Sequence, residues 1–277
     1  MKNAFVFVPL IFSKSVDVPL AVFRSSAAFL VFCALSSAVY IGNDVHDAPE
    51  DRHHPQKRYR PIASGRIAVW HALLWGAVLL AAALVASWWL TPAFGVITIG
   101  YLFLNIAYTF RLKHIVLLDV LTVAANYVLR VLAGAVVISV AVTPWLLIAS
   151  MLLALFLVLG KRRHELVLLG DGAGAHRAIL REYSPYFLDQ LIGIVTASTV
   201  VVYSLYTLDP QIRDRLGTPY LPLTIPFVLY GIFRYLYLVH QKQVGGNPGE
   251  ALFADRPLLA TVALWVLTAG ACMYLTR

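Results

Sequence analysis

The sequence predicts an all-α fold, a polytopic bundle of transmembrane helices with eight long spans and a short apolar segment before them. The chain is 60% hydrophobic and only 13% charged, whereas soluble globular chains have roughly 25% charged residues. Apolar stretches of about 20 residues, long enough to cross a bilayer, recur along it. Runs of this length indicate helices and not the alternating strands of a barrel. We expect one integral membrane domain over residues 1–277.

The positions of the apolar runs predict the individual elements. The first run, at 3–13, is too short for a comfortable crossing and is predicted to be interfacial or partly inserted. The predicted long spans are 18–42, 67–90, 93–110, 115–138, 142–160, 186–208, 219–241 and 257–275.

The connections between the spans alternate in charge. Those after the first, third, fifth and seventh long spans carry 14 of the 22 basic residues, whereas those after the second, fourth and sixth carry Arg213 and Arg215 alone. The positive-inside rule makes the basic face cytoplasmic, so we expect a bacterial inner-membrane protein with its site on that face. This bias, with anionic lipids or phosphate substrates, accounts for the net charge of +8. No nucleic-acid partner is expected.

An acidic run follows the first long span. Asp44, Asp47 and Asp51 are spaced i, i+3, i+7 and share one helical face if the helix continues through Asn43. Carboxylates at this spacing can converge on Mg²⁺, which often bridges to substrate phosphates, and Asn43 could add a neutral oxygen ligand. Pro49 is expected to limit the regularity of this helix. The alternative is a solvated acidic loop.

Basic residues come directly after the acids, at Arg52, Lys57, Arg58 and Arg60. Arginine and lysine both bind phosphate, and we assign Lys57 and Arg58 to the substrate. The other two are interpreted as positive-inside anchors. The segment Pro61–Gly65 predicts a turn into the next span.

Further polar groups lie in later spans and connections. Topology places Lys113 and the pair Lys161–Arg162 on the face of the acidic run; these helix-end bases also suit the helix dipole, and Glu165 could complete a phosphate and metal site. Asp119, Asn126 and Arg130 lie on one face of the fourth long span. Ionisable groups inside a membrane helix mark either a site or pairing with other helices, and both remain open.

These motifs together resemble those of a known family. The sequence Asn43-Asp44-x-x-Asp47-x-x-x-Asp51, at the end of a helix in a membrane bundle, resembles the UbiA superfamily of membrane prenyltransferases over essentially the whole chain. Longer motifs are similar to those of the decaprenyl-phosphate phosphoribosyltransferases within it. They are His54-Pro55-x-Lys57-Arg58-x-Arg60-Pro61-Ile62-Ala63-Ser64-Gly65, Leu112-Lys113-x-x-x-x-Leu118-Asp119-Val120, Gly160-Lys161-Arg162-Arg163-x-Glu165-Leu166, Arg234-Tyr235-Leu236-Tyr237-Leu238-Val239 and Asp255-Arg256-Pro257-Leu258.

The resemblance implies a UbiA-like bundle of nine helices, with 3–13 as the remnant of the first. It also implies transfer of 5-phosphoribosyl from phosphoribosyl pyrophosphate (PRPP) to a polyprenyl phosphate, with release of pyrophosphate. This reaction leads to decaprenyl-phosphoryl arabinose for cell-wall arabinan. The implied partners are PRPP, the polyprenyl phosphate and the membrane, and a homo-oligomer is compatible with them.

The resemblance also implies roles for particular residues. Asp44, Asp47 and Asp51 would be catalytic and, with Asn43, would hold Mg²⁺. The predicted substrate-binding residues are Asn43, Lys57, Arg58, Tyr108, Lys113, Asp119, Asn126, Arg130, Lys161, Arg162, Glu165 and Arg177.

Two alternative functions are considered. Many UbiA members have a second Asp-x-x-x-Asp motif, whereas Asp171 has no acid at 175, which favours PRPP over a prenyl diphosphate. The first alternative remains prenyl transfer from a prenyl diphosphate to an aromatic acceptor. The second is a non-catalytic lipid-phosphate carrier or transporter.

Overall fold

The computed structural model describes residues 2–52, 57–169, 178–242 and 248–274, and every regular element in these ranges is helical. Eight of the helices are long and apolar enough to cross a membrane, which confirms the predicted all-α bundle. The α-helices are α1 (Val8–Phe12), α2 (Pro19–Asp51), α3 (Val69–Leu90), α4 (Pro92–Phe110), α5 (Leu118–Val137), α6 (Pro144–Leu169), α7 (Pro185–Leu208), α8 (Pro210–Leu216), α9 (Ile225–Gln241), α10 (Pro248–Ala254) and α11 (Arg256–Tyr274).

Two helices extend well beyond their predicted ends. Helix α2 reaches Asp51 and not residue 42, and α6 reaches Leu169 and not residue 160. Hydropathy marks only the part of a helix that lies in hydrocarbon, whereas the backbone hydrogen bonds can continue into water. The extensions place the acidic run and the Lys161–Glu165 segment on regular helix.

The chain divides into two compact units. The N-terminal unit contains Lys2–Lys113 and Leu129–Ala141, and the C-terminal unit contains His114–Val128 and Val142–Arg277. Helix α5 contributes residues to both. The expectation of a single domain over residues 1–277 stays a prediction.

The N-terminal unit is built on α2, which packs along α3, while α3 packs on α4. In its core, the ring of Phe32 meets those of Phe94 and Tyr101 edge-on. The short segment Lys2–Phe12 packs into this core, where Val6 is fully buried. A Cβ on Gly134 would overlap the carbonyl oxygen of Val6, so glycine lets this segment approach α5 closely.

The C-terminal unit pairs α6 with α7 and α9 with α11. Arg234 on α9 donates two hydrogen bonds to Asp255, at 3.0 and 2.8 Å. Asp255 also accepts a hydrogen bond from the backbone N–H of Leu258 in the first turn of α11, so one carboxylate caps a helix and joins it to its neighbour.

Candidate functional site

The acidic run lies on the last turns of α2. The helix continues through Pro49 to Asp51. Proline has no N–H, so one backbone hydrogen bond is lost, but the loss falls close to the helix end and does not stop the helix. The helix therefore extends past Pro49 to the end of the acidic run, and the predicted limit on its regularity stays a prediction. Asp44, Asp47 and Asp51 share one face of this helix, and Asp51 is only 3% exposed.

Arg60 joins two of these carboxylates. Its Nη1 atom lies 2.9 Å from Oδ1 of Asp44 and 2.9 Å from Oδ2 of Asp51. Lys57 contributes a longer contact, with Nζ 3.9 Å from Oδ1 of Asp51. Two carboxylates thus converge on one cationic nitrogen, which offsets the repulsion between them.

A short turn anchors the backbone of Arg60. Ser64 N–H donates to the Arg60 carbonyl at 2.9 Å, and Gly65 closes the turn with a positive φ of 76°, which glycine adopts without strain. Ile62 is buried against Ala48 of α2. The turn predicted at Pro61–Gly65 is present, and its apolar contact with α2 brings Arg60 to the acids.

The end of α4 and the turn after it supply the partners of the other two residues. Lys113 Nζ donates to Oδ1 of Asp47 at 3.1 Å. Thr109 Oγ1 donates to Oδ1 of Asn43 at 2.6 Å. Every predicted metal ligand is therefore engaged by a cation or a hydroxyl from another segment of the N-terminal unit.

A second cluster lies within the C-terminal unit. Arg162 is 4% exposed and Asp119 is fully buried. Arg162 Nε donates to Oδ2 of Asp119 at 3.0 Å, and its Nη1 donates to Oε2 of Glu165 at 2.9 Å. Lys161 Nζ lies 3.7 Å from Oε1 of Glu165, with 48% of its side chain exposed. Arg162 is thus held in place by two acids, whereas Lys161 faces solvent.

Tyr183 completes this cluster. Its hydroxyl donates to Oδ1 of Asp119 at 2.7 Å and accepts from the backbone N–H of Leu117 at 2.8 Å. Burial, reinforced by the hydrogen bond to Asp119, raises the pKa of Tyr183 well above its usual value. The Tyr183 phenol therefore stays protonated and acts as a hydrogen-bond donor to the Asp119 carboxylate.

Asn126 and Arg130 have local and structural partners. Asn126 donates to the carbonyl of Thr122, one turn back, at 3.1 Å. Arg130 Nε donates to Oδ1 of Asn3 at 2.8 Å, and its Nη2 donates to the Tyr101 hydroxyl at 2.9 Å. Arg130 thus ties the N-terminal segment to the core. Asp119 and Arg130 both pair with residues of other helices, which is one of the two alternatives that the sequence left open. Substrate binding by these two residues stays a prediction.

The other predicted residues have varied surroundings. Tyr108 is half-buried on α4, and Arg58 turns towards the exposed Tyr59, whose hydroxyl its Nη2 meets at 2.7 Å. Arg177 and Asp171 lie outside the described residues.

Sequence reasoning gave no site role to three residues that the structure places in these clusters, namely Arg60, Thr109 and Tyr183. Arg60 was assigned to membrane topology, although the turn signal immediately after it could have indicated that it folds back onto α2.

Two carboxylates of the acidic face are arranged to share one cation. Within the described residues, no group of three His, Cys, Asp or Glu side chains is arranged to hold a metal ion. However, Asp44 and Asp51 already converge on the cationic Arg60 nitrogen. Mg²⁺ in phosphate-transfer sites is usually bound by one or two carboxylates together with substrate phosphates. The donor set therefore fits Mg²⁺ brought by a polyphosphate.

The long apolar helices and the clusters of acids and bases define an integral membrane enzyme whose polar groups suit a phosphorylated substrate. The sequence pattern of the UbiA prenyltransferase family matches residues 4–246, and the chain belongs to this family. It is 33% identical to a decaprenyl-phosphate phosphoribosyltransferase of Mycolicibacterium smegmatis, over 91% of this chain and 80% of that protein. It is 34% identical to the Mycobacterium tuberculosis protein of the same name, over 90% and 82% of the two chains.

Solved structures support the same fold. A UbiA homologue from Archaeoglobus fulgidus bound to GPP and Mg²⁺ superimposes with a TM-score of 0.72, covering 98% of this chain and 95% of that one at 18% identity. The expected UbiA-like architecture is confirmed.

Proposed function

We propose that this protein transfers the 5-phosphoribosyl group of PRPP to a polyprenyl phosphate such as decaprenyl phosphate, releasing pyrophosphate. One observation carries the proposal, namely the identity of about one third, over some 90% of the chain, to decaprenyl-phosphate phosphoribosyltransferases. The acidic face of α2 with its bases provides the chemistry that a metal-bound polyphosphate requires.

Asp44 and Asp51, with Asp47 and Asn43 beside them, are the residues that would hold Mg²⁺ at the pyrophosphate of PRPP. When bound, the ion would neutralise the charge that develops on the departing pyrophosphate. The helix keeps these side chains in register before substrate arrives, so little reorganisation is needed during the reaction.

The bases are proposed to bind the phosphates of PRPP. Lys57 and Lys113 already contact the acidic face, and the Lys161 side chain is half exposed. Arg162 would hold Glu165 in place, and Glu165 would in turn position the Lys161 ammonium group. The remaining substrate-binding proposals are Arg58, Tyr108, Asp119, Asn126, Arg130 and Arg177.

The reaction balances without a strong general base. An oxygen of the lipid phosphate, already ionised near neutral pH, forms a bond to C1 of the ribose from the face opposite the leaving group. The bond from C1 to the pyrophosphate oxygen breaks, its electron pair leaves with pyrophosphate, and C1 is inverted. Apolar helix surfaces and the surrounding lipid would hold the polyprenyl chain. We place the enzyme in a bacterial plasma membrane, with the site on the cytoplasmic face.

The test is a donor assay with purified protein and Mg²⁺. We expect labelled ribose 5-phosphate to pass from PRPP to decaprenyl phosphate, EDTA to stop transfer and added Mg²⁺ to restore it. Turnover of a prenyl diphosphate without transfer from PRPP would instead support prenyl transfer, the reaction after which the family is named. An absence of pyrophosphate release with either donor would support a carrier.

Asp47→Asn is the matched variant for this assay. It removes one charge from the partly exposed carboxylate that pairs with Lys113, so the fold should be retained while most of the transfer activity is lost. An Asp47→Asn protein with wild-type activity would contradict the proposed role of the acidic face.

A further inference from the structure

Arg60 occupies the place where a bound cation would sit. One guanidinium nitrogen is shared, at 2.9 Å each, between carboxylates of Asp44 and Asp51 that are seven residues apart on α2. Asp51 is almost completely buried, with 4% of its side chain exposed. A buried carboxylate needs a partner to remain charged, and Arg60 lies closer to Asp51 than Lys57 does.

The same oxygens cannot serve Arg60 and a divalent ion together. A metal at the usual Mg–O distance of about 2.0–2.1 Å would stand against Nη1 at the shared position, and the two positive charges would repel each other. Binding of the ion therefore requires the Arg60 side chain to leave.

The surroundings of Arg60 allow that movement. Its backbone is held by the turn that buries Ile62, but 39% of its side chain is exposed. The guanidinium group can therefore rotate away from the acids without displacing the turn. An arginine that has left two carboxylates beside an arriving polyphosphate meets a ligand that its fork-shaped donor set binds well.

We infer that Arg60 is the counter-ion of the acidic site before ligand binds, that the metal-bound polyphosphate displaces it, and that its guanidinium group then binds a phosphate of that ligand. This adds Arg60 to the phosphate ligands proposed for this turn. The second half of the inference rests on the proposed use of PRPP, whereas the competition with metal does not.

The experiment compares Arg60→Gln with Arg58→Gln. Both variants remove one positive charge from the same turn, but Arg58 contacts Tyr59 and not an acid. Binding of Mn²⁺ alone, without PRPP, is followed by electron paramagnetic resonance of the free ion. We expect Arg60→Gln to bind Mn²⁺ about tenfold more tightly than wild type, because two charge-assisted hydrogen bonds no longer oppose the ion. Arg58→Gln should stay within about twofold, since a screened surface charge has a weak effect.

Thermal unfolding in detergent gives a second measurement. Without metal, Arg60→Gln should unfold at a lower temperature than wild type because Asp51 loses its closest partner, and Mn²⁺ should raise its Tm by more than it raises that of wild type. An Arg60→Gln protein that is stable only when purified with Mn²⁺ would support the inference as well. Mn²⁺ affinity in Arg60→Gln equal to or weaker than wild type would overturn it.

The transfer assay separates this inference from the proposed function. If wild type transfers phosphoribose, Arg60→Gln should show a raised KM for PRPP despite its tighter Mn²⁺ binding. An unchanged KM would remove the phosphate-binding role of Arg60. If wild type transfers nothing from PRPP, the proposed function fails, and the Mn²⁺ comparison still decides whether Arg60 is the counter-ion.

Discussion

Arg162 Nε lies 3.0 Å from Oδ2 of Asp119, and the two side chains are 5% and 0% exposed. Burying either charge alone would cost desolvation free energy, and the attraction between the two charges offsets that cost only while both are present. Tyr183 and Glu165 complete the hydrogen bonding of the pair. The contacts of the second cluster therefore fix the α6 segment that carries the neighbouring Lys161.

Breaking this pair should destabilise the protein. Asp119→Asn leaves the buried Arg162 without one of the acids that hold it, and we expect a loss of about 3–5 kcal/mol, measured as a lower unfolding midpoint in detergent. The double variant Asp119→Leu/Arg162→Met should recover part of the loss, because neither charge then remains. A single variant as stable as wild type would show that the pair contributes nothing.

Lys161 should behave in the opposite way. It is half exposed and its contact with Glu165 is long, at 3.7 Å, so Lys161→Gln should change stability by no more than about 0.5 kcal/mol. If Lys161 binds a phosphate of PRPP, KM for PRPP should rise roughly tenfold through the lost charge-assisted contact. Arg181, an exposed base between α6 and α7, provides the control, and Arg181→Gln should leave both quantities unchanged. Equal KM values for the two variants would remove Lys161 from the site.

The fold followed from the sequence to within a few residues at most helix ends, because apolar length alone specifies a membrane helix. The ends of α2 and α6 were missed since hydropathy does not report how far helical hydrogen bonding continues into water. These extensions carry much of the candidate site. The sequence therefore identified the acids of the site, but it did not predict how far the helices that carry them extend.

The side-chain partners could not be predicted in the same way. Arg60 reaches Asp44 across 16 residues and Arg162 reaches Asp119 across 43, and both pairings depend on turn geometry and helix packing that no local pattern specifies. The resemblance identified which residues carry charge chemistry. It did not indicate that these charges neutralise one another within each unit.

The approach of the N-terminal segment to α5 should depend on Gly134. A Cβ there would overlap the Val6 carbonyl, so Gly134→Ala must displace the segment, and we expect a loss of about 1–3 kcal/mol. Gly100, on α4, has no atom within 4 Å of its Cβ position, so Gly100→Ala should be neutral or slightly stabilising, as for an exposed helix residue. Unfolding midpoints of the two proteins provide the comparison. A Gly134→Ala protein that matches Gly100→Ala would show that Val6 does not pack against α5.

The link between α9 and α11 should make stability depend on acid pH. The hydrogen bond from Arg234, assisted by that from the Leu258 N–H, lowers the pKa of Asp255 below its ordinary value, so the unfolded chain binds the proton more readily than the folded one. The stabilisation is therefore fully present above the unfolded pKa of about 3.9 and is lost as pH falls through the folded value. Asp255→Asn should lower Tm at pH 7, and its difference from wild type should shrink as the pH is brought towards the unfolded pKa and below it.

Asp214→Asn, which changes an exposed aspartate on α8, should differ little from wild type throughout. A difference for Asp255→Asn that is constant with pH would mean that the ionised carboxylate does not hold the two helices together.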